Sequence, residues 1–296
     1  MQVYVHPCPT KNIGDEFNHW FWQEIFDEDF RCYSDDILLV GIGTVLNDKL
    51  PKASITHVLG SGVGYGNGGK VDPSRWNIHF VRGKLSANAL GLGEQMAISD
   101  PGILISRLRP QEVVHQYPIS FMPHIGIDSE RYRRFIEEVI GWHYISPSDE
   151  EDKILKEIVA SSKLITSAMH GAIIADSYRV PWLAVNTSPE ILPFKWQDWF
   201  SSLNIDAHLT QLPAYWNQIR PGLKSKAINF VKEKQLKSQL LKLLKKGHFQ
   251  LSDAQPLVSK QEQLLDKLAQ VKPLIFSEEH RIGNAIHCDD SLSEEF

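Results

Sequence analysis

A chain of 296 residues, 42% of them hydrophobic, can bury more than one core, because single cores rarely grow past roughly 150 to 250 residues. Its 31 basic residues against 36 acidic ones leave a net charge of -5, which speaks against duplex nucleic acid as a partner. No apolar run reaches the roughly 18 to 20 residues that span a bilayer, and the first residues lack the cationic and apolar regions of a signal peptide, so a cytoplasmic protein is expected.

In chain order, the first expected strand is the short run at residues 2–5, and the turn after it holds Asn12, Gly14, Asp15 and Glu16. Open α/β sheets bind ligands at such a strand-to-helix turn. Gly14 admits close backbone approach and Asp15 can accept hydroxyl protons. Capping the next helix explains Asp15 equally well, and a cap does not exclude a ligand. That helix begins at Asp15 and gathers Phe17, Trp20, Phe21 and Ile25 on one face.

Strands follow at 37–41 and 55–60, each leading into glycines: Gly41 and Gly43 in one turn, Gly60, Gly62, Gly64 and Gly66 in the other. Their backbone amides are candidates for holding hydroxyls or an anion. Residues 64–69 match GxGxxG, yet no helix opens there and no GK[ST] exists, which excludes dinucleotide and P-loop readings. The strand at 78–81 delivers Arg82 to its end, with Lys84 next and Ser86 in the first turn of another helix. Arginine beside a helix start suits phosphate or carboxylate; the plain alternative is an ordinary surface ion pair.

A polar, proline-containing stretch after Leu104 closes a first α/β domain at 1–110. Strands at 119–123, 142–145, 164–167 and 182–185 then alternate with helices at 129–140, 149–160 and 171–178, the order of a parallel sheet in a second domain at 116–200. Ser167, Ala168, Met169, His170 and Gly171 turn its third strand into an apolar helix, so His170 stands at a helix start on the ligand edge. A lone histidine is more often structural, and Met169 is the kind of residue that packs; placement raises His170 above that rule.

Residues 201–280 are Lys- and Leu-rich with helical spacing, expected to pack on the body rather than on lipid, and 281–296 form an acidic tail expected to be disordered. Cys8, Cys32 and Cys288 have no CxxC or Cys/His spacing, so they are expected as free thiols and no metal site is expected.

Together, the turn at Asn12 to Asp15, the run from Arg82 to Ser86, the stretch Asp100, Pro101, Gly102, Ile103, Leu104 and the segment Ser167 to Gly171 resemble the polysaccharide pyruvyl transferases, over about residues 10 to 190. The resemblance implies an α/β fold of two Rossmann-like, doubly wound domains facing across a cleft, as in GT-B enzymes, with C-terminal helices beyond. It also implies transfer of pyruvate from phosphoenolpyruvate to a sugar as a ketal, with no cofactor or metal. The first domain then holds the acceptor and the second the donor. By position, Arg82 resembles the arginine that grips the donor, His170 the histidine of S-x-R-x-H-G, and Asp15 the acidic residue of the N-terminal loop, all three catalytic. Asn12, Gly14, Glu16, Gly43, Gly62, Lys84, Ser86, His124, Ser167, Met169 and Gly171 stand as substrate-binding candidates. Ala168 occupies the motif's arginine position, so His124, Lys84 or Arg179 would have to supply that charge, or the donor differs.

The implied partners are phosphoenolpyruvate and a sugar or lipid-linked oligosaccharide, with peripheral contact to polysaccharide machinery at the inner membrane face. Two rival readings share the architecture: a nucleotide-sugar glycosyltransferase, and a non-catalytic binding component of polysaccharide assembly.

Overall fold

Nine short parallel strands, in two sheets, organise the described part of the protein, whose computed structural model covers residues 1–64, 72–213 and 223–282. The first sheet contains β1 (Gln2–Val3), β2 (Ile37–Val40), β3 (Ile55–Leu59) and β4 (Asn77–Phe80), in that spatial order. The second contains β5 (Ser120–Met122), β6 (His143–Tyr144), β7 (Leu164–Thr166), β8 (Trp182–Asn186) and β9 (Thr210–Gln211), in the order β6-β5-β7-β8-β9. Every neighbouring pair is parallel. β2 and β8 are buried at each position, as strands covered on both faces must be, which is why they read as unbroken apolar runs. The expected strands are all present with ends moved by one or two residues; the helix Pro193–Leu203 and β9 are additions.

Because the strands of each sheet run the same way, the turns at their C-terminal ends gather along one edge. In the first sheet that edge carries residues 12–16, Gly43, Gly62 and Arg82; in the second it carries His124, residues 167–170 and Thr187.

The seam between the halves is packed. Phe17, Leu39 and Ile103 of the first half belong to the same apolar cluster as Ile154, Ile173 and Trp182 of the second. The helix Pro193–Leu203 tightens this union: Pro193 at its first turn is pre-set for helix, and Asn204 in the left-handed region (φ 53) ends it. It leaves β8, lies against the helix Lys84–Ala89 of the first half, and returns to β9. The C-terminal helices divide their service. Leu223–Lys246 gives Leu236 and Leu240 to the core around Phe121 and Tyr132, while Ala254–Ile275 gives Leu257, Leu264 and Leu268 to the shared core. Among the described residues no helix is long and apolar enough to cross a membrane.

One expectation is corrected: Cys32 is disulfide-bonded, while Cys8 is free and exposed. Cys288, residues 283–296 of the acidic tail and residues 65–71 of the glycine-rich loop lie outside the described residues.

On β3 and β4, His57 and His79 meet Nδ1 to Nε2 at 3.0 Å, and burial holds both rings down to about 4. Neighbouring positive charge adds to this, from His79 and His280 on His57 and from Lys267 on His79. A histidine whose folded pKa lies below its unfolded value of about 6.5 makes the unfolded chain the better proton binder between those two values. Stability therefore falls as pH falls from about 6.5 toward about 4. The urea midpoint is expected to be lower at pH 5 than at pH 7, and His57→Leu should shrink that difference. Equal midpoints in the native protein would contradict the assignment.

Candidate functional site

Arg82 follows β4 and is completely buried, so its charge has to be answered inside the protein. Its Nε donates to Asp198 Oδ2 at 3.0 Å and its Nη1 to Thr44 Oγ1 at 2.7 Å. Asp198, also fully buried, comes from the helix Pro193–Leu203 and accepts further bonds from the Ser86 amide at 2.8 Å and the Ser86 hydroxyl at 2.6 Å. The guanidinium lies against the backbone of Gly62, where a β-carbon would overlap Nη2. Glycine is needed there for the close approach. Arg82 Nη2 itself is buried with no hydrogen-bond partner.

His170 sits in the first turn of the helix Met169–Ser177, reached from β7 through Ser167 and Ala168. Thr166 Oγ1 shapes this turn by bonding both the amide and the carbonyl of Ala168 at 3.0 Å. Gly171 brings the helix onto β5, since a β-carbon would meet Met122 Sδ and Thr166 Oγ1, and Met169 is buried as packing. The His170 ring crosses to the first half: it lies on Gly14, where a methyl group would overlap it, and its Nε2 stands 3.7 Å from Asp100 Oδ2. Asp100 is fully buried, its Oδ1 fixed by the Gly102 amide at 2.9 Å while Oδ2 has no hydrogen-bond partner. Asp100 Oδ2 thus stands close enough to stabilise the charge of a protonated imidazole.

Lys195 links these groups. It lies three residues before Asp198 on the same helix, hence on the same face, and is buried. Burial first and then Arg82 lower its ammonium to about 8 against the opposing pull of Asp15, so Lys195 stands within electrostatic reach of both. His124, after β5, is pushed down to about 4 by burial and then by Lys195. Its backbone amide donates to Ser167 Oγ at 2.7 Å and its Nδ1 accepts from the Gly126 amide at 3.2 Å, which leaves Nε2 as the donor of the neutral ring. Asp15, in turn, accepts from Asn12 Nδ2 at 2.8 Å beside Gly14.

The structure thus brings Asp15, Asn12, Gly14, Arg82, His124, Ser167 and His170 to one seam, with Lys195 and Asp100 among them. Other candidates are placed elsewhere or used internally. Ser86 spends its hydroxyl on Asp198 and on the Val63 amide. Gly62 gives its amide to the Gly43 carbonyl at 2.9 Å, so these turns brace each other. Lys84 pairs with Glu94 at the surface (3.3 Å), and Arg179 is committed to Ser252 at 2.6 and 3.1 Å; neither stands in for an arginine at Ala168. Glu16 faces a cavity of about 220 Å³ beside the seam, lined also by Trp20 and Glu151. Among the described residues no group of three or more His, Cys, Asp or Glu side chains is placed to hold a metal ion.

The family model for polysaccharide pyruvyl transferase matches residues 12–189, which takes in the seam's strand-end turns from Asn12 to Thr187. The chain belongs to the polysaccharide pyruvyl transferase family. It is 37% identical over 216 residues, 72% of this chain and 68% of the relative, to the succinoglycan biosynthesis protein ExoV of Rhizobium meliloti (strain 1021). An uncharacterized protein L143 of Acanthamoeba polyphaga mimivirus is 23% identical over 292 residues, covering 85% of this chain and 96% of the relative. Among solved structures, the wall teichoic acid polymerase TagF in its H444N variant overlaps 81% of this chain and 74% of its own at a TM-score of 0.32 and 12% identity. The α/β architecture rests on the two parallel sheets themselves rather than on that likeness.

Lys195, Asp198 and Thr44 escape a reading of motifs, and Asp100 is visible only as part of one. A signal for the first two exists in this family member: an i, i+3 pair of charges set on the Trp- and Phe-rich face of residues 193–203, which no amphipathic surface helix would place there. Removing one partner of a buried ion pair strands the other, at a cost of about 3 to 5 kcal/mol. Asp198→Ala is expected to destabilise the protein by about that amount in urea unfolding, whereas Lys84→Ala, at an exposed pair, should change stability by about 0 to 1 kcal/mol. Equal effects of the two substitutions would remove Asp198 from its role.

Proposed function

We propose that the protein transfers pyruvate from phosphoenolpyruvate to a pair of hydroxyls on a sugar of a polysaccharide or its precursor, forming a ketal and releasing phosphate. The observation that carries this reading is the seam itself, where a buried guanidinium nitrogen without a partner, a histidine beside a buried carboxylate and an acidic residue converge from both halves. Family membership and the succinoglycan biosynthesis for which the ExoV relative is named support it.

The chemistry needs three things of the protein. The donor's carboxylate and phosphate must be held, which suits Arg82 Nη2. A proton must reach the methylene carbon, which suits His170 with Asp100 behind it. The carbon bearing the phosphate then becomes oxocarbenium-like, one sugar hydroxyl adds to it, phosphate departs with the C–O bonding electrons, and a second hydroxyl closes the ketal. Of the two protons that the hydroxyls give up, one balances the new methyl group and the other leaves on phosphate, so no redox partner enters. Asp15 is suited to accept the first hydroxyl proton. The cavity beside Glu16 and Trp20 adjoins this loop and has room for a sugar ring.

Incubation with phosphoenolpyruvate and β-galactoside or mannoside acceptors should release phosphate only when the acceptor is present, and EDTA should leave the rate unchanged. His170→Ala should lower kcat by about 10² to 10⁴ while the urea midpoint stays in place. Turnover of a nucleotide sugar with none of phosphoenolpyruvate would overturn the proposal.

A further inference from the structure

We infer that the outward face of the helix Leu223–Lys246 is a docking surface for an anionic lipid bilayer, on which the protein lies without crossing it. The helix has 24 residues and so rises about 36 Å. It carries eight lysines against one acidic residue, Glu233, a local charge of +7 in a chain whose net charge is -5. Glu233 is itself answered within the protein by Arg131 at 2.6 Å, so the lysines keep their excess.

One side of this helix is committed to the core. Asn229, Leu236 and Leu240 are buried, the two leucines against the cluster around Phe121 and Tyr132. At 3.6 residues per turn, Ile228, Phe230, Val231, Lys234, Lys242 and Lys245 fall on the opposite half of the helix, and all six are exposed. Ile228, Phe230 and Val231 are 54%, 57% and 52% exposed, and Phe230 is the one aromatic side chain left exposed among the described residues. Apolar side chains scattered singly on a surface need no explanation, but three within one turn form a patch. The Lys234 ammonium lies 4.4 Å from the centroid of the Phe230 ring. Lys237 donates to the Val139 carbonyl at 2.8 Å, which sets another exposed apolar side chain beside the helix. Apolar side chains continued by lysines along one straight face match a bilayer interface, where the first enter between headgroups and the ammonium groups meet lipid phosphates. The charge excludes a cationic partner, and a second copy laid on the same face would bring +7 against +7.

The test is co-sedimentation of the full chain with vesicles of phosphatidylcholine alone and of phosphatidylcholine mixed with phosphatidylglycerol. Each lysine at an anionic surface strengthens partitioning about fivefold, so the mixed vesicles should bind the protein about tenfold more strongly or better. Raising salt from about 0.1 to 1 M should release it. Phe230→Ser combined with Val231→Ser should keep the native Tm, both side chains being exposed, and lose about tenfold in binding. Lys242→Glu combined with Lys245→Glu should lose at least as much. Lys49→Glu combined with Lys52→Glu makes the same change of charge at exposed lysines of the first half and should lose less than about threefold. Binding that does not depend on phosphatidylglycerol, equal losses from the two lysine pairs, or native binding after the Phe230 and Val231 substitutions overturns the inference. A dimer in sedimentation velocity that those two substitutions abolish, with no vesicle binding by the native protein, assigns the face to a second copy and also overturns it. None of the substituted residues belongs to the seam, so phosphate release from phosphoenolpyruvate with a soluble acceptor should be unchanged in every variant. Failure of that reaction would leave the vesicle result standing.

Discussion

Inside the protein an arginine from one half meets an aspartate from the other, both closed to water, and the rest of the site depends on that contact. Arg82 and Asp198 cannot be buried singly without a large penalty, so the helix that carries Asp198 has to dock wherever Arg82 stands. Docking brings Lys195 within electrostatic reach of the guanidinium, uses up Ser86 and Thr44 as further partners, and leaves one guanidinium nitrogen unanswered. The ion pair that the fold requires is therefore also the one that leaves a buried donor for the proposed anionic substrate. It follows that substitutions of Arg82 report on folding before they report on chemistry.

A second crossing, of His170 onto Gly14 and Asp100, sets the other pole. Here the constraint is space rather than charge, since only glycine lets the ring lie on the N-terminal turn. Each half thus completes the other's site: the first supplies Arg82, Asp15 and Asp100, the second supplies His170, His124 and Lys195. A shared apolar core holds the two edges at fixed distance, which favours a preorganised site over one assembled by large domain motion.

Much of the fold was legible because parallel strands buried on both faces read as short β-branched runs, and because helices between them keep a 3.6-residue period. Arg82 and His170 were visible for a related reason: each stands directly after such a run. What escaped was contact between elements distant in sequence. Asp198 lies 116 residues from Arg82, and nothing local to residues 193–203 says which surface its charges will meet. Lys84 and Arg179 stood as candidates for the charge missing at Ala168 until the structure committed them to Glu94 and Ser252. Gly43 and Gly62 looked like ligand-facing turns, yet their backbone groups bond each other. Lys195 was overlooked because a lysine among tryptophans reads as an interruption, whereas in the folded chain it is a buried charge with a neighbour.

The measurement that bears most directly on this account is a crystal structure of the protein with phosphoenolpyruvate bound. The expected result is one donor molecule in the seam, with a phosphate or carboxylate oxygen about 3 Å from Arg82 Nη2 and the His170 ring facing the methylene carbon. A donor held by one half alone, away from Arg82, would contradict it.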